Sequence, residues 1–239
     1  MPDPLIMALP LIGMIVLIAI GMPVAFAMGV SGAAGIYFMG GFESLMGILA
    51  TSPYRTAASY TLTTVPLFIL MAEFIVKSEI VHEIFDAGYK WLGHLPGGVA
   101  IATVLADAGF GAMCGSSTAA AAAMSSVAIP QMKRLKYRDS LSGGVVAVAG
   151  TLAIMIPPSI VFIIYGSVTE TSIGKLLIAG IMPGVLTALA YAAAIYVWVK
   201  IDPSVSPPQM AWSWSERVHS LKYVWPMIVL FAVVVGTIY

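Results

Sequence analysis

The sequence predicts an all-α polytopic membrane protein that contains a re-entrant helical hairpin and a broken transmembrane helix. Of its 239 residues, 60% are hydrophobic and 9% are charged, whereas a soluble domain carries about 25% charged residues. The charges are also clustered, which leaves four long stretches without Asp, Glu, Lys or Arg: 4–42, 108–132, 141–169 and 176–199. Two breaks in apolar sequence, Gly115-Ser116-Ser117 and Ile156-Pro157-Pro158-Ser159, predict the hairpin and the broken helix.

Four helices are predicted before the amphipathic segment Lys77–Leu95. Leu5–Ile20 is read as a retained first span, because the N-terminus lacks the basic region and small-residue cleavage site of a signal peptide. After the Gly21–Pro23 break, Val24–Phe38 is rich in Gly and Ala, which permit close contact between membrane helices. Phe42–Ala50 is predicted to form a short surface helix, and Thr64–Val76 an apolar helix that extends backward to about Tyr60.

The segment Lys77–Leu95 predicts an amphipathic helix that lies in the membrane interface. Its apolar residues recur at helical spacing on one side, and charged residues occupy the others. Tyr89 and Trp91 suit the headgroup level of a bilayer. Glu73 precedes Lys77 by one helical turn, which predicts an ion pair at the end of the preceding helix.

Beyond the hairpin, the sequence predicts a basic loop, a crossing helix, a long span and a second interfacial helix. These segments are Lys133–Asp139 for the loop, Leu141–Gly166 for the crossing, Lys175–Lys200 for the span, Asp202–Lys222 for a linker with the interfacial helix, and Val224–Tyr239 for the start of another span. Lys and Arg favour the cytoplasmic side, so the basic loop is placed inside, as a topology anchor and a contact for membrane lipid. Counting back along the chain puts the N-terminus outside.

The hairpin prediction depends on the two arms that flank Gly115-Ser116-Ser117. The arms, Gly97–Met113 and Thr118–Met132, fall short of the roughly 20 residues that span a hydrocarbon core of about 30 Å. Irregular backbone at membrane depth is tolerated only where protein buries it or where it lines a wet cavity. The two breaks therefore predict an ion or substrate site at mid-membrane. The alternative is a tight helix–helix turn and a simple proline kink.

Other chemistries are disfavoured. The single cysteine, Cys114, excludes an internal disulfide and a Cys-rich metal site. The three histidines, His82, His94 and His219, are scattered, which makes a metal site improbable. No phosphate-binding loop or catalytic triad is present, so we predict neither an enzyme nor an ATP-driven pump, and no cofactor. The net charge is zero and there is no long basic block, so no nucleic-acid partner is expected.

Six ordered motifs run through the chain. They are GMPVAFAMG (Gly21–Gly29), VPLFILMAEF (Val65–Phe74), GHLPGGVAIATVLA (Gly93–Ala106), GFGAMCGSSTA (Gly109–Ala119), IPQMKRLKY (Ile129–Tyr137) and GTLAIMIPPSIVFIIYG (Gly150–Gly166). Together they resemble the large membrane subunit of TRAP transporters, the tripartite ATP-independent periplasmic uptake systems (DctM-like family). That subunit is built as two inverted repeats, so the resemblance implies that this chain is one inverted-repeat half, the N-terminal one.

The resemblance implies a sodium-coupled secondary transporter that imports a carboxylate-bearing organic acid, such as a dicarboxylate, by an elevator mechanism. It implies two protein partners, a small four-span membrane subunit and a periplasmic substrate-binding protein, and places the chain in a bacterial or archaeal cytoplasmic (inner) membrane. The implied sodium- and substrate-binding residues are Gly115, Ser116, Ser117 and Thr118 at the hairpin tip, and Gly150, Thr151, Ile156 and Pro157 at the broken helix. Carbonyls freed by proline and the Ser and Thr hydroxyls are hard oxygen ligands that suit sodium.

Four positions depart from the family pattern. Cys114 replaces a small residue, often Ser, and Asp107 stands where an uncharged small residue is common. Lys136 and Ala153 each replace a usual Gly. Asp107 and Cys114 lie close enough to the hairpin tip to tune ion or substrate preference. The alternatives are a truncated, non-transporting remnant, a scaffold half that needs a second chain, and an ion-coupled anion transporter that uses no binding protein.

The predicted domain ranges combine these segments with the resemblance. They are 1–76 for N-terminal scaffold-type transmembrane helices, 77–96 for the interfacial helix, 97–172 for the transport-type hairpin and broken helix, 173–200 for a transmembrane helix, 201–223 for an interfacial linker, and 224–239 for the start of the next transmembrane helix.

Overall fold

The computed structural model describes residues 4–78, 80–207 and 212–238, and this part of the chain contains helices and no β-strand. The all-α prediction is therefore confirmed. The α-helices are α1 Pro4–Ala19, α2 Val24–Ala57, α3 Tyr60–Lys77, α4 Ile80–Leu92, α5 Gly98–Cys114, α6 Ser117–Arg134, α7 Asp139–Ala149, α8 Ile160–Val168, α9 Ile173–Ile201, α10 Trp214–Leu221 and α11 Trp225–Ile238. Two 3-10 helices, Gly150–Ile154 and Pro203–Val205, complete the set.

Within the described residues, two helices, α2 and α9, are long and apolar enough to cross a membrane by length and composition. Their outward-facing side chains are large and apolar: Phe26 is 68% exposed on α2, and Met182 is 73% exposed on α9. Monomeric soluble proteins rarely expose contiguous apolar surface of this kind. Such surfaces are typical of helices that face lipid.

The first compact unit, residues 1–59, consists of α1 packed on α2. Small residues at four-residue spacing on α2, namely Ala27, Ser31 and Gly35, are buried, as expected for close packing of membrane helices. At Gly41, φ is 73° and ψ is −176°, which interrupts the helical geometry of α2. The predicted surface helix Phe42–Ala50 was too short, because helix continues through Ala57.

The second compact unit, residues 60–239, is organised around α5. Nearly every residue of α5 is buried, and α5 packs against α4, α6, α7, α9 and the 3-10 helix Gly150–Ile154. The arms α5 and α6 run antiparallel: the Val99 N–H at the start of α5 donates to the Tyr137 hydroxyl beyond the end of α6, at 3.4 Å. Burial raises the pKa of that hydroxyl.

The amphipathic helix α4 packs on α10. The Tyr89 and Trp212 rings meet edge to face at 5.5 Å between centroids, and the Trp91 indole N–H donates to the Arg217 carbonyl at 2.9 Å. Tyr89 is only 5% exposed. The ring of Tyr89 is therefore covered by protein. The sequence had suggested that this ring lies at the headgroup level of a bilayer.

One predicted ion pair is absent. Within the described residues no salt bridge joins Glu73 to Lys77, although both are exposed near the end of α3. Exposed ion pairs gain little over hydration, so one-turn spacing alone does not bring the two side chains together. An ion pair with the same four-residue spacing does form on α4, where the Lys90 ammonium lies 2.6 Å from the Asp86 carboxylate.

The basic loop is held by the segment that follows α9. Arg138 donates its backbone N–H to the Val205 carbonyl at 3.1 Å, and its guanidinium lies 3.4 Å from the Asp202 carboxylate. The Ser204 hydroxyl donates to that carboxylate and lowers the pKa of Asp202. Lys136 has φ 64°, a left-handed conformation that glycine adopts most easily.

Candidate functional site

The hairpin tip is a left-handed glycine followed by a serine cap. Gly115 has φ 62° and ψ 13°, and its N–H donates to the Gly111 carbonyl at 2.8 Å, which ends α5. Ser116 caps α6, because its Oγ accepts from the Ala119 N–H at 3.4 Å. The same Oγ lies 3.2 Å from the Thr118 hydroxyl. Gly and Ser at these positions are what the local geometry requires.

The second break separates α7 and the 3-10 helix Gly150–Ile154 from α8. Pro157 and Pro158 lie between them, are buried, and lack the N–H groups that would continue a helix. The peptide bond between the two prolines is cis. Ser159 starts α8: its Oγ accepts from the Phe162 N–H at 3.4 Å and donates to the Ile154 carbonyl at 2.8 Å.

The two breaks touch each other. The Ile160 N–H at the start of α8 donates to the Gly115 carbonyl at 3.3 Å. A Cβ on Gly115 would lie 2.6 Å from the Pro158 carbonyl oxygen, so only glycine fits this approach. A Cβ on Gly150 would lie 3.2 Å from the Ser117 carbonyl oxygen. The N-termini of α6 and α8 therefore lie side by side.

The other two predicted site residues face α9. Thr151 donates its hydroxyl to the Val148 carbonyl at 2.6 Å and lies 3.2 Å from the Tyr191 hydroxyl. Ile156 packs against α9 so closely that a Cβ on Gly184 would approach its side chain to 2.7 Å. The sequence reasoning did not identify α9 as a wall of the site. The pair Gly180 and Gly184, four residues apart in a long apolar helix, was the available signal.

The two residues proposed to tune the site differ in their relation to it. Cys114 is a free, fully buried thiol whose Sγ lies 3.5 Å from the Ser116 carbonyl oxygen, so it contacts the tip directly. Asp107 lies on the same helix, about 12 Å from Gly115 at 1.5 Å per residue. It is fully buried, and neither carboxylate oxygen has a hydrogen-bond partner.

The electrostatics of the site come from helix ends and hydroxyls. No Asp, Glu, Lys or Arg occurs in 108–132 or 141–169. The N-termini of α6 and α8 carry partial positive charge, and the C-terminus of α5 at Cys114 carries partial negative charge. The atoms available to ligate a cation here are carbonyl and hydroxyl oxygens, a set that fits a hard cation such as sodium. In the described residues, no group of three or more His, Cys, Asp or Glu side chains could hold a metal ion.

Comparisons with known proteins agree on one family. The family model described as "Tripartite ATP-independent periplasmic transporter, DctM component" matches residues 11–239. The chain is 39% identical over 194 residues to the C4-dicarboxylate TRAP transporter large permease protein of Pseudomonas aeruginosa, which covers 80% of this chain and 44% of that protein.

Two further relatives have different ligands in their names. The ectoine/5-hydroxyectoine TRAP transporter large permease protein of Ruegeria pomeroyi is 36% identical over 168 residues, or 70% of this chain and 39% of that protein. The sialic acid TRAP transporter large permease protein of Vibrio cholerae is 30% identical over 181 residues, or 76% of this chain and 42% of that protein. The chain thus spans less than half the length of these curated relatives.

Proposed function

Because the chain belongs to the DctM family of TRAP transporter large permeases, we propose that it forms the membrane-embedded site of a sodium-coupled importer of a carboxylate-bearing organic acid. The observation that carries the proposal is the hydrogen bond from the Ile160 N–H to the Gly115 carbonyl. That bond joins the hairpin tip to the second break, so their donors and acceptors belong to one site.

The chemistry of this site supports both ligands. The first N–H groups of a helix have no intrahelical partner and favour an anion. At the adjacent starts of α6 and α8, the serine caps and the Gly115 carbonyl already accept from the Ala119, Phe162 and Ile160 N–H groups, which leaves the other first-turn N–H groups for a ligand. A substrate carboxylate would take this position. Sodium would be held by hydroxyl and carbonyl oxygens around Ser116, Ser117, Thr118 and Thr151. Discontinuous helices that present their ends to an anion and a cation are the usual construction of secondary-transporter sites.

The helix lengths support a re-entrant hairpin and a broken transmembrane helix. Helices α5 and α6 contain 17 and 18 residues, or about 26 Å each at 1.5 Å per residue, so a tilted pair ends short of the far side of a bilayer. Helix α8 has 9 residues and cannot cross alone. We assign α5 to α8 to the moving part of an elevator mechanism.

We propose the location and the partners from the family and from the distribution of charges. We place the chain in the cytoplasmic membrane with its N-terminus outside, because the loop with Lys133 and Arg138 is basic and exposed. The same loop is suited to anionic lipid headgroups. The proposed partners are a small four-span subunit and a periplasmic substrate-binding protein. C4-dicarboxylate and sialic acid, named for two relatives, both carry the carboxylate that the helix starts would bind.

The test is sodium-driven uptake of labelled organic acids into proteoliposomes. The vesicles would hold this chain, its small subunit and its binding protein, with and without a chain that supplies the second repeat. The double substitution Ser116→Ala with Ser117→Ala should raise the half-saturating sodium concentration about tenfold or more, because about 1.4 kcal/mol of lost ligand interaction is a factor of ten. Membrane insertion should be unchanged.

The matched control is Ser125→Ala with Ser126→Ala on the same helix. These hydroxyls donate to the Ala122 and Ala123 carbonyls, so their loss should leave sodium dependence unchanged. Equal sodium dependence in the two double variants would refute the site. Absence of uptake in every combination would favour a non-transporting remnant. Uptake without the binding protein would favour an anion transporter of another kind.

A further inference from the structure

Asp107 combines complete burial with an unsatisfied carboxyl group. Its exposure is 0%, and neither Oδ1 nor Oδ2 has a hydrogen-bond partner. An ionised carboxylate in this place would lose its hydration without any compensating contact. The neutral, protonated carboxyl group avoids that cost.

Among the residues that the structure describes, no fixed positive charge pairs with Asp107. The ionisable side chains on the helices packed against α5 are Glu73, Lys77, His82, Glu83, Asp86, Tyr89, Lys90, Lys133, Arg134, Asp139, Lys175, Tyr191, Tyr196 and Lys200. None of them forms a hydrogen bond or an ion pair with Asp107. On α5 itself, Cys114 lies seven residues on and faces the same side, and its thiol approaches the Ser116 carbonyl.

The burial restricts what can occupy this position. Helices of this chain already cover Asp107 completely, so a side chain from another protein cannot reach it without displacing them. A sodium ion would need several further oxygen ligands. One turn earlier on α5, the Thr103 hydroxyl donates its proton to the Val99 carbonyl at 2.9 Å, so it offers at most one such oxygen. A proton needs no additional ligand.

We propose that Asp107 is a proton-binding site, which holds a proton at neutral pH in the conformation described here. The site is distinct from the sodium and substrate site at the hairpin tip, and the proposal does not rest on the proposed function. Release of the proton requires water to enter between α5 and its neighbours. A Cβ on Gly111, one turn after Asp107, would lie 2.6 Å from the Cα of Ala153, so these helices must separate before water enters there.

The test is infrared spectroscopy of the purified chain at neutral pH, in H₂O and in D₂O. A buried protonated carboxyl gives a C=O stretching band that is separate from carboxylate bands and shifts in D₂O. We expect this band in the unmodified chain and its loss in Asp107→Asn. The control is Asp139→Asn, since Asp139 is exposed and lies 3.6 Å from the Lys133 ammonium; the band should persist there. A band that persists in Asp107→Asn, or no band in the unmodified chain, overturns the proposal.

Two further measurements decide the cases in which sodium binds at Asp107 or the Asp107→Asn variant fails to fold. Replacing potassium chloride by sodium chloride at fixed pH should leave the protonated-carboxyl band unchanged. Loss of the band in sodium chloride alone would mean that sodium binds at Asp107, which overturns the proposal. If Asp107→Asn does not yield a monodisperse helical protein, Asp107→Glu decides. This variant should retain a protonated-carboxyl band at a shifted frequency, and an unshifted band would assign the signal to another residue.

Discussion

The contact between the hairpin tip and the second break makes a quantitative prediction for Gly115→Ala. The substitution places an alanine at φ 62°, which costs about 1–2 kcal/mol for an L-residue. It also places a Cβ 2.6 Å from the Pro158 carbonyl oxygen, and forcing packed groups apart in this way costs about 1–3 kcal/mol. The free energy of unfolding should therefore fall by about 2–5 kcal/mol, summing these two costs.

Gly97→Ala is the matched control, because Gly97 flanks the other end of the same helix. Its backbone is nearly identical, with φ 70° and ψ 18°, so the cost of the left-handed conformation is the same. Its Cβ would meet side-chain methyl groups of Val199 and Ile195 at 2.9 and 3.1 Å, and side-chain ends move more easily than backbone. Gly97→Ala should cost nearer 1–2 kcal/mol.

The assay is unfolding of the purified chain in mixed micelles by increasing fractions of denaturing detergent, followed by helical circular dichroism. The quantity of interest is the difference between the two glycine variants, which isolates the contact of the tip with Pro158. If Gly115→Ala and Gly97→Ala have the same free energy of unfolding, the hairpin tip does not press on the second break, and the site described above does not exist in that form.

Two further predictions concern a hydroxyl pair and a helix cap. Tyr191→Phe removes the hydroxyl that meets Thr151, which should lower the free energy of unfolding by about 0.5–1.5 kcal/mol. The control, Tyr165→Phe, changes an exposed ring of α8 and should alter the free energy of unfolding little. Equal effects of the two substitutions would contradict the pairing of Tyr191 with Thr151. In the capping box of α10, the Ser213 hydroxyl and N–H donate to the Glu216 carboxylate and hold the pKa of Glu216 below its usual value. The capping box therefore stabilises α10 fully at a pH above the usual pKa of Glu. This stabilisation is lost as the pH falls through the lowered pKa of Glu216. Hydrogen exchange of α10 amides, corrected for intrinsic rates, should accelerate on acidification, and Glu216→Gln should abolish this pH dependence.

The parts of the site that sequence could predict are those set by local chemistry. Gly115 and Ser116 mark the end of one helix and the cap of the next, and Pro157 cannot continue a helix, so both breaks are visible in the chain itself. Their mutual contact is a tertiary property and was only implied by the family resemblance. Tyr191 was missed because its partner, Thr151, is 40 residues away and nothing in the local pattern links the two.

Two predictions outside the site also differ from the structure, one for a tertiary reason and one for a local reason. Tyr89 carries an amphipathic ring that suits a bilayer interface, but Trp212 covers it from a distant part of the chain. The helix predicted to end at Ala50 continues to Ala57 because Ser, Thr and Pro53 lower the local hydropathy without stopping the helix. The depth of the hairpin, the domain ranges and the sodium ligands remain predictions, since they depend on a membrane and an ion.

The packing of α4 on α10 determines what the intrinsic fluorescence of this protein can report. Of the five tryptophans, Trp91 and Trp214 lie 5.8 Å apart between ring centroids, and Trp212 meets Tyr89 edge to face. The hairpin, residues 98–134, contains none. Emission from these three residues will therefore follow the separation of α4 from the segment that carries Trp212 and α10, while Trp198 on α9 and Trp225 on α11 add signal from elsewhere in the chain. A tryptophan introduced at an exposed apolar position of the hairpin, such as Leu105, would supply the missing optical signal.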